Sequence, residues 1–261
     1  MAFKPNKQLG QNFLINEGIA DQIIDAAVLT REDTVLEIGP GTGVLTDRLV
    51  RVAGQVLAVE KDYDLVDKLR KRMGQKNLKL IHQDALWFDL SLLDKYKVVA
   101  NIPYNITSPL IRKFIEQEPR PELLILMVQK EVAERICAKP GDSSRGLLTL
   151  IVEFYAEAEI LFEVGRKEFL PAPKVDSAVI KITPKTQLPE IEPKLFFQVV
   201  KAGFSSKRQQ IHNSLSGVLH LEKDVVTKLL SDSNIDTKMR AEALTQEQWI
   251  KLALNYRSLI D

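Results

Sequence analysis

The stretch Thr34-Val35-Leu36-Glu37-Ile38-Gly39-Pro40-Gly41-Thr42-Gly43 decides the fold. Its first five residues read as a strand, and the glycine-punctuated turn leads into a helical pattern over Gly43–Arg51. Glycine lets the backbone turn sharply and lets a ligand approach the chain closely. A turn of this kind serves dinucleotides when it reads G-x-G-x-x-G, with pyrophosphate held at the helix N-terminus. Here the spacing is G-x-G-x-G, and Glu37 stands two residues before the first glycine. A carboxylate at that place repels a pyrophosphate and suits a cationic ligand, such as a sulfonium with its amino group.

Outward from this turn the pattern alternates. Further β-branched runs lie at Gln55–Val59, Leu78–Ile81, Lys97–Ala100 and Leu123–Val128, with helical segments at Tyr63–Met73 and Pro109–Gln117. Strands separated by helices predict a parallel sheet covered on both faces. Asn16 is a candidate N-cap for an earlier helix. Beyond Leu123–Val128, helices are expected at Lys130–Ala138 and Gly146–Tyr155, then strands at Ala158–Val164 and Ala178–Thr183 as an antiparallel pair at the sheet edge. The Pro184–Pro193 stretch reads as a linker. Helical patterns follow at Leu195–Ala202, Lys207–Leu219 and Lys223–Ser231, and Thr245-Gln246-Glu247-Gln248 reads as the capping box of a last helix. The expected organisation is an α/β domain over 1–184 and a small all-helical domain over 185–261.

Two more strands end in acids. Glu60 closes the second strand, where a carboxylate can accept from ribose hydroxyls, and Asp84 follows the third, where it can accept from an adenine amino group. Either could instead serve a helix N-terminus or an Asx turn, but three strand-end acids in order point to a nucleoside site. The fourth strand ends in Asn101-Ile102-Pro103-Tyr104. An adenine amino nitrogen is a poor nucleophile because its lone pair is delocalised into the ring. Acceptors that hold its N–H bonds out of the ring plane would turn that lone pair toward an electrophilic methyl group. The Asn101 side-chain oxygen and the Ile102 carbonyl are the expected acceptors, Pro103 stiffens the turn, and Tyr104 offers an aromatic face to an extruded base. Catalysis of this kind is positioning and electrostatics, with no strong base required.

Composition sets the limits. The chain has 261 residues, 45% of them hydrophobic, and 36 Lys and Arg against 35 Asp and Glu give a net charge of +1. That balance disfavours a strongly basic nucleic-acid binder while allowing a local basic face. Cys137 is the only cysteine, which excludes an internal disulfide and a Cys-based metal cluster, and no two of the three histidines have ligand spacing. No metal is expected. The Met1–Lys7 start lacks the apolar run of a secretory signal, and no apolar stretch is long enough to span a bilayer, so the expected location is cytoplasmic, with no membrane partner.

Over nearly its whole length the chain resembles the ribosomal small-subunit adenine dimethyltransferase family. The resemblance is carried by Gly10-Gln11-Asn12-Phe13-Leu14, Glu37–Gly41, Asn101–Tyr104, Gln129-Lys130-Glu131-Val132 and Pro173-Lys174-Val175-Asp176-Ser177. It implies a Rossmann-like class I methyltransferase domain with a mostly parallel seven-stranded sheet, and S-adenosylmethionine as cofactor. It implies cofactor contacts at Asn12, Leu14, Glu37, Gly39, Gly41, Glu60, Asp84 and Asn101, and that Phe169 packs on the target base opposite Tyr104. It further implies dimethylation of two adjacent adenosines near the 3′ end of small-subunit ribosomal RNA during ribosome biogenesis. The expected partner is that RNA within an assembling 30S subunit, with no obligate protein partner.

Lys201, Lys207, Arg208, Lys130 and Arg145 are the candidate RNA contacts, since basic residues neutralise phosphates without reading sequence. The family has a denser Arg-Arg-Lys stretch where this chain reads Lys207-Arg208-Gln209, an aromatic where Arg145 stands, and a further proline where Ala172 stands. Three alternatives share parts of this pattern. They are a large-subunit RNA adenine methyltransferase of the antibiotic-resistance type, a non-catalytic RNA-binding assembly factor, and a nucleotide-dependent oxidoreductase. Intact acids and an intact tetrapeptide disfavour the second, and glycine spacing disfavours the third.

Overall fold

The computed structural model describes residues 11–260, so Gly10 and the Met1–Lys7 start lie outside the described residues. In chain order the elements are β1 (Phe13–Leu14), α1 (Glu17–Ala26), β2 (Thr34–Ile38), α2 (Thr46–Val52), β3 (Gln55–Glu60), α3 (Tyr63–Arg72) and β4 (Leu78–His82). There follow β5 (Lys97–Asn101), α4 (Thr107–Glu116), β6 (Leu123–Gln129), α5 (Lys130–Ile136), α6 (Leu147–Tyr155), β7 (Ala156–Val164), β8 (Phe169–Leu170) and β9 (Ser177–Pro184). The chain ends in α7 (Pro193–Gly203), α8 (Ile211–Leu219), α9 (Lys223–Asp232) and α10 (Gln246–Ile260).

Among the described residues, seven strands form one sheet in the order β4-β3-β2-β5-β6-β9-β7. Strands β2 to β6 run parallel, and β9 is antiparallel to both its neighbours. The expected antiparallel pair therefore forms, with β7 at the edge. The apolar strands explain themselves: Val98, Val99 and Ala100 on β5 and Leu124 to Val128 on β6 are fully buried, as helices on both faces require. Strand order reverses between β2 and β5, and ligands gather outside the carboxyl ends of strands at such a switch point.

Local chemistry sets the helix ends. Asn16 caps α1 by accepting from the Ile19 N–H at 3.2 Å, a contact whose loss typically costs ~1 kcal/mol. Helix α2 starts at Thr46 rather than Gly43, because Gly39, Gly41 and Gly43 all adopt left-handed backbone, with φ of 65°, 58° and 87°. Those angles suit glycine and cannot continue a helix.

By contacts the chain divides into two units, 11–133 with 156–184, and 134–155 with 185–260. The expected division at 184 therefore needs correcting, because 134–155 belongs with the C-terminal helices. The reason is aromatic packing: Phe154 on α6 lies 4.8 Å from Phe196 and 5.3 Å from Phe197, both on α7. Within the helical unit the Thr245 capping box forms in both directions, Gln248 N–H to Thr245 Oγ1 at 3.2 Å and Thr245 N–H to Gln248 Oε1 at 3.0 Å. Helix α8 starts at Ile211, so Lys207 and Arg208 lie in the turn before it and not on a helix face.

Candidate active site

A pocket opens at the carboxyl ends of β2, β3 and β5, and all its walls belong to the sheet unit. Gly39 and Gly41 form its floor. A side chain at Gly41 would come within 2.9 Å of the Phe13 ring, so this turn excludes any Cβ there. The nearby stretch Gln11–Leu14 forms another wall. It is tied down at both ends: Gln11 donates to Asp62 at 2.8 Å, and β1 pairs with β8 through Phe13 opposite Leu170 and Leu14 opposite Phe169.

The three acids differ in state. Glu37 is buried, and burial raises its carboxyl to about 8; the Thr46 main-chain N–H opposes the rise, while the Glu60 and Asp47 charges add to it. Its Oε2 is buried with no hydrogen-bond partner among the described residues. Burial therefore favours the protonated form of Glu37, and a cationic ligand beside it would favour the carboxylate. Glu60 is also raised by burial, but it accepts from the Gly41 N–H at 3.2 Å and the Asp62 N–H at 2.9 Å. It therefore ties the glycine turn to the start of α3. Asp84 is held low, chiefly by Lys61 at 2.8 Å, and accepts from the Leu86 N–H at 3.0 Å. The Asx turn weighed from sequence is present, and Asp84 lines the pocket as well.

The Asn101-Ile102-Pro103-Tyr104 turn closes the opposite wall. Asn101 Nδ2 donates to the Asn12 carbonyl at 3.3 Å. Ile102 is buried and its N–H donates to the Met127 carbonyl at 3.2 Å, which fixes the Asn101–Ile102 peptide. The Pro103 carbonyl accepts from the Ile106 N–H at 3.1 Å and tightens the turn into α4. Tyr104 is half-buried, and its hydroxyl shares a 2.7 Å hydrogen bond with Ser177 Oγ at the start of β9. Burial holds the Tyr104 phenol above its ordinary range.

Two expected residues fall elsewhere. Phe169 is buried in the core beside Leu14, Val164 and Val179 and is not on the pocket wall. Arg145 is fully buried in the helical unit, bidentate to Glu153 with Nη2–Oε2 at 2.7 Å, and donates to the Ala138 and Leu244 carbonyls. It is a structural ion pair and not an RNA contact, because every phosphate is out of its reach. Lys130 pairs with Glu163 at 2.8 Å, while Lys201, Lys207 and Arg208 are exposed. Sequence reasoning missed Lys61 and Lys113, and it quoted Gln11 and Ser177 within motifs without giving either a contact. Their partners are main-chain atoms or residues far along the chain, which no local spacing marks.

A sheet of this order, with antiparallel β9 and a nucleoside-shaped set of acids at its carboxyl edge, is the Rossmann-like fold of methyltransferases. The family model described as ribosomal RNA adenine dimethylase matches residues 2–257, and the chain belongs to that family. It is 45% identical over 260 residues to the ribosomal RNA small subunit methyltransferase A of Dehalococcoides mccartyi, covering 97% of this chain and 89% of that protein. It is 44% identical to the protein of that name from Rippkaea orientalis, covering 95% and 96%. Among solved structures, a dimethyladenosine transferase from Plasmodium falciparum superposes with a TM-score of 0.84 at 32% identity, over 94% of this chain and 98% of that one. The 23S rRNA methyltransferase ErmE superposes at 0.76 with 28% identity, over 94% and 99%.

Proposed function

We propose that this protein dimethylates the N6 amino groups of two adjacent adenosines near the 3′ end of small-subunit ribosomal RNA, using S-adenosylmethionine. The observation that carries the reading is the Asn101 turn facing a pocket walled by Glu37, Glu60 and Asp84. The donor fits on two counts: an unpaired buried oxygen on Glu37, and Glu60 on the pocket wall at the strand end where ribose hydroxyls need an acceptor. When bound, S-adenosylmethionine supplies an electrophilic methyl group. Asn12, Leu14, Glu37, Gly39, Gly41, Glu60, Asp84 and Asn101 would hold it.

Asn101 Oδ1 and the Ile102 carbonyl accept the two amino N–H bonds of the target adenine and point its lone pair out of the ring. Tyr104 packs on the base, with its hydroxyl anchored on Ser177. Removing one such preorganised acceptor typically costs ~10²–10³ in rate. In the helical unit Lys201, Lys207 and Arg208 neutralise RNA phosphates, and Lys130 does so in exchange for Glu163. The substrate is an assembling 30S particle in the cytoplasm. Among the described residues no helix is long and apolar enough to cross a membrane.

A second reading, a large-subunit RNA adenine methyltransferase, draws on the likeness to ErmE, which shares the scaffold at lower identity. One experiment separates them: mass spectrometry of both ribosomal RNAs from cells with and without the gene. Dimethyladenosine that disappears from small-subunit RNA on deletion is the expected result; loss from large-subunit RNA alone supports the second reading.

A further inference from the structure

We propose that Lys113 is a positioning residue for cofactor recognition, fixing the Asp84–Phe88 turn so that Asp84 can select the adenine base. The inference rests on the reading of Asp84 as the acceptor for the cofactor's adenine amino group.

Lys113 lies on α4, half-buried, and its Nζ donates to the main-chain carbonyls of Ala85, Leu86 and Phe88, the first two at 3.2 and 2.9 Å. An ammonium has three N–H donors, and here all three go to one short turn. Burial holds its ammonium below the ordinary lysine range, and the Asp89 and Asp84 charges partly offset that fall. Drawing a cation out of water is costly unless it is fully hydrogen-bonded, so a surface-seeking lysine held this way implies a demand for those bonds. The turn supplies that demand. It is a single 3-10 turn over Ala85–Trp87; Ala85 and Phe88 are buried, while Trp87 is 79% exposed, so packing holds the ends of the turn and the lysine adds three hydrogen bonds to its carbonyls. Asp84 is its N-cap: one carboxylate oxygen accepts from the Leu86 N–H at 3.0 Å and the other from Lys61 at 2.8 Å, so the turn sets the first of the two contacts that aim the carboxylate. Helix α4 in turn begins three residues after Tyr104, which joins the nucleobase turn to the helix that leaves the catalytic turn.

The test uses the full chain and two ligands, S-adenosylhomocysteine and its deaminated analogue S-inosylhomocysteine, which lacks the amino group. Calorimetry gives the affinity ratio for the wild type, Lys113→Met and Lys113→Gln. The wild type should prefer the adenine ligand by about tenfold to a hundredfold, the range expected for one hydrogen bond to a charged group. Lys113→Met should collapse that ratio toward one, while Lys113→Gln, which keeps two donors, should fall between. In turnover the loss should appear in KM for the cofactor, with kcat within about threefold. A folded Lys113→Met or Lys113→Gln protein with the wild-type ratio overturns the proposal for Lys113 alone. A wild type that binds both ligands equally overturns the Asp84 reading, and the Lys113 inference falls with it.

Discussion

Asn101 Nδ2 donates to the main-chain carbonyl of Asn12 at 3.3 Å. A carbonyl can only accept, so this bond decides which way the amide faces and leaves Oδ1 as the acceptor on the other side. The oxygen that, on the proposed reading, accepts from the adenine amino group is therefore aimed by a backbone atom 89 residues earlier in the chain. Pairing of β1 with β8 holds that atom in place.

Asn101→Ala should lower kcat by ~10²–10³, while cofactor affinity stays within about tenfold, because the variant removes an acceptor aimed at substrate. Asn101→Asp should be no better. It keeps acceptor oxygens but loses the donor to Asn12 and sets a negative charge against that carbonyl. Single-turnover methylation of 30S particles, with cofactor binding measured alongside, checks both. A rapid Asn101→Asp enzyme would show that the Asn12 contact does not aim the side chain.

Glu37 makes stability depend on pH. Its carboxyl titrates at about 8 when folded and near the ordinary 4.5 when unfolded. Between these values the folded state keeps a proton that the unfolded state has released, so stability falls as pH rises through the window and levels off above it. Glu60, raised by burial as well, pushes the same way. Glu37→Gln is neutral at every pH and nearly isosteric. Its thermal midpoint should gain on that of the wild type steadily from about pH 5 to about pH 8.5. Parallel melting curves across that range would mean that Glu37 is not protonated in the folded protein.

Much of the pocket's lining could be read directly from the sequence because each part sits at or near a strand end. Glu37, Glu60, Asp84 and Asn101 follow four apolar runs, and a parallel sheet brings such ends to one edge. Side-chain partners were not legible. Arg145 looks like a solvent-facing base in Ser143-Ser144-Arg145, and only folding brings it against Glu153, eight residues on, and Leu244. Phe169 sits between charged and proline-rich residues that suggest exposure, yet β1 covers it. An apolar helix such as α6 carries no mark of which core will take it, so the unit boundary could not be placed from its sequence.

The Arg145 correction has a direct consequence. Arg145→Ala strands the Glu153 carboxylate and two carbonyls, and breaking such a pair costs about 3–5 kcal/mol. Urea unfolding should show a lowered midpoint, with RNA affinity of the folded fraction unchanged. Arg145→Ala with wild-type stability and weakened RNA binding would restore the surface reading.

Lys207 and Arg208 carry the opposite expectation. Both are exposed in the turn before α8. Replacing both with glutamine should therefore leave stability within about 0.5 kcal/mol, as for surface positions away from structural contacts. If each neutralises a phosphate, releasing two fewer counterions should flatten the slope of log affinity against log salt by about 1.4 to 1.8. The loss should also be uniform across RNA sequences, because phosphate contacts carry no base information. Binding titrations at several salt concentrations, on small-subunit RNA and on an unrelated RNA of equal length, measure both quantities. An unchanged slope would place the phosphate contacts on another face and leave Lys207 and Arg208 as solvated side chains.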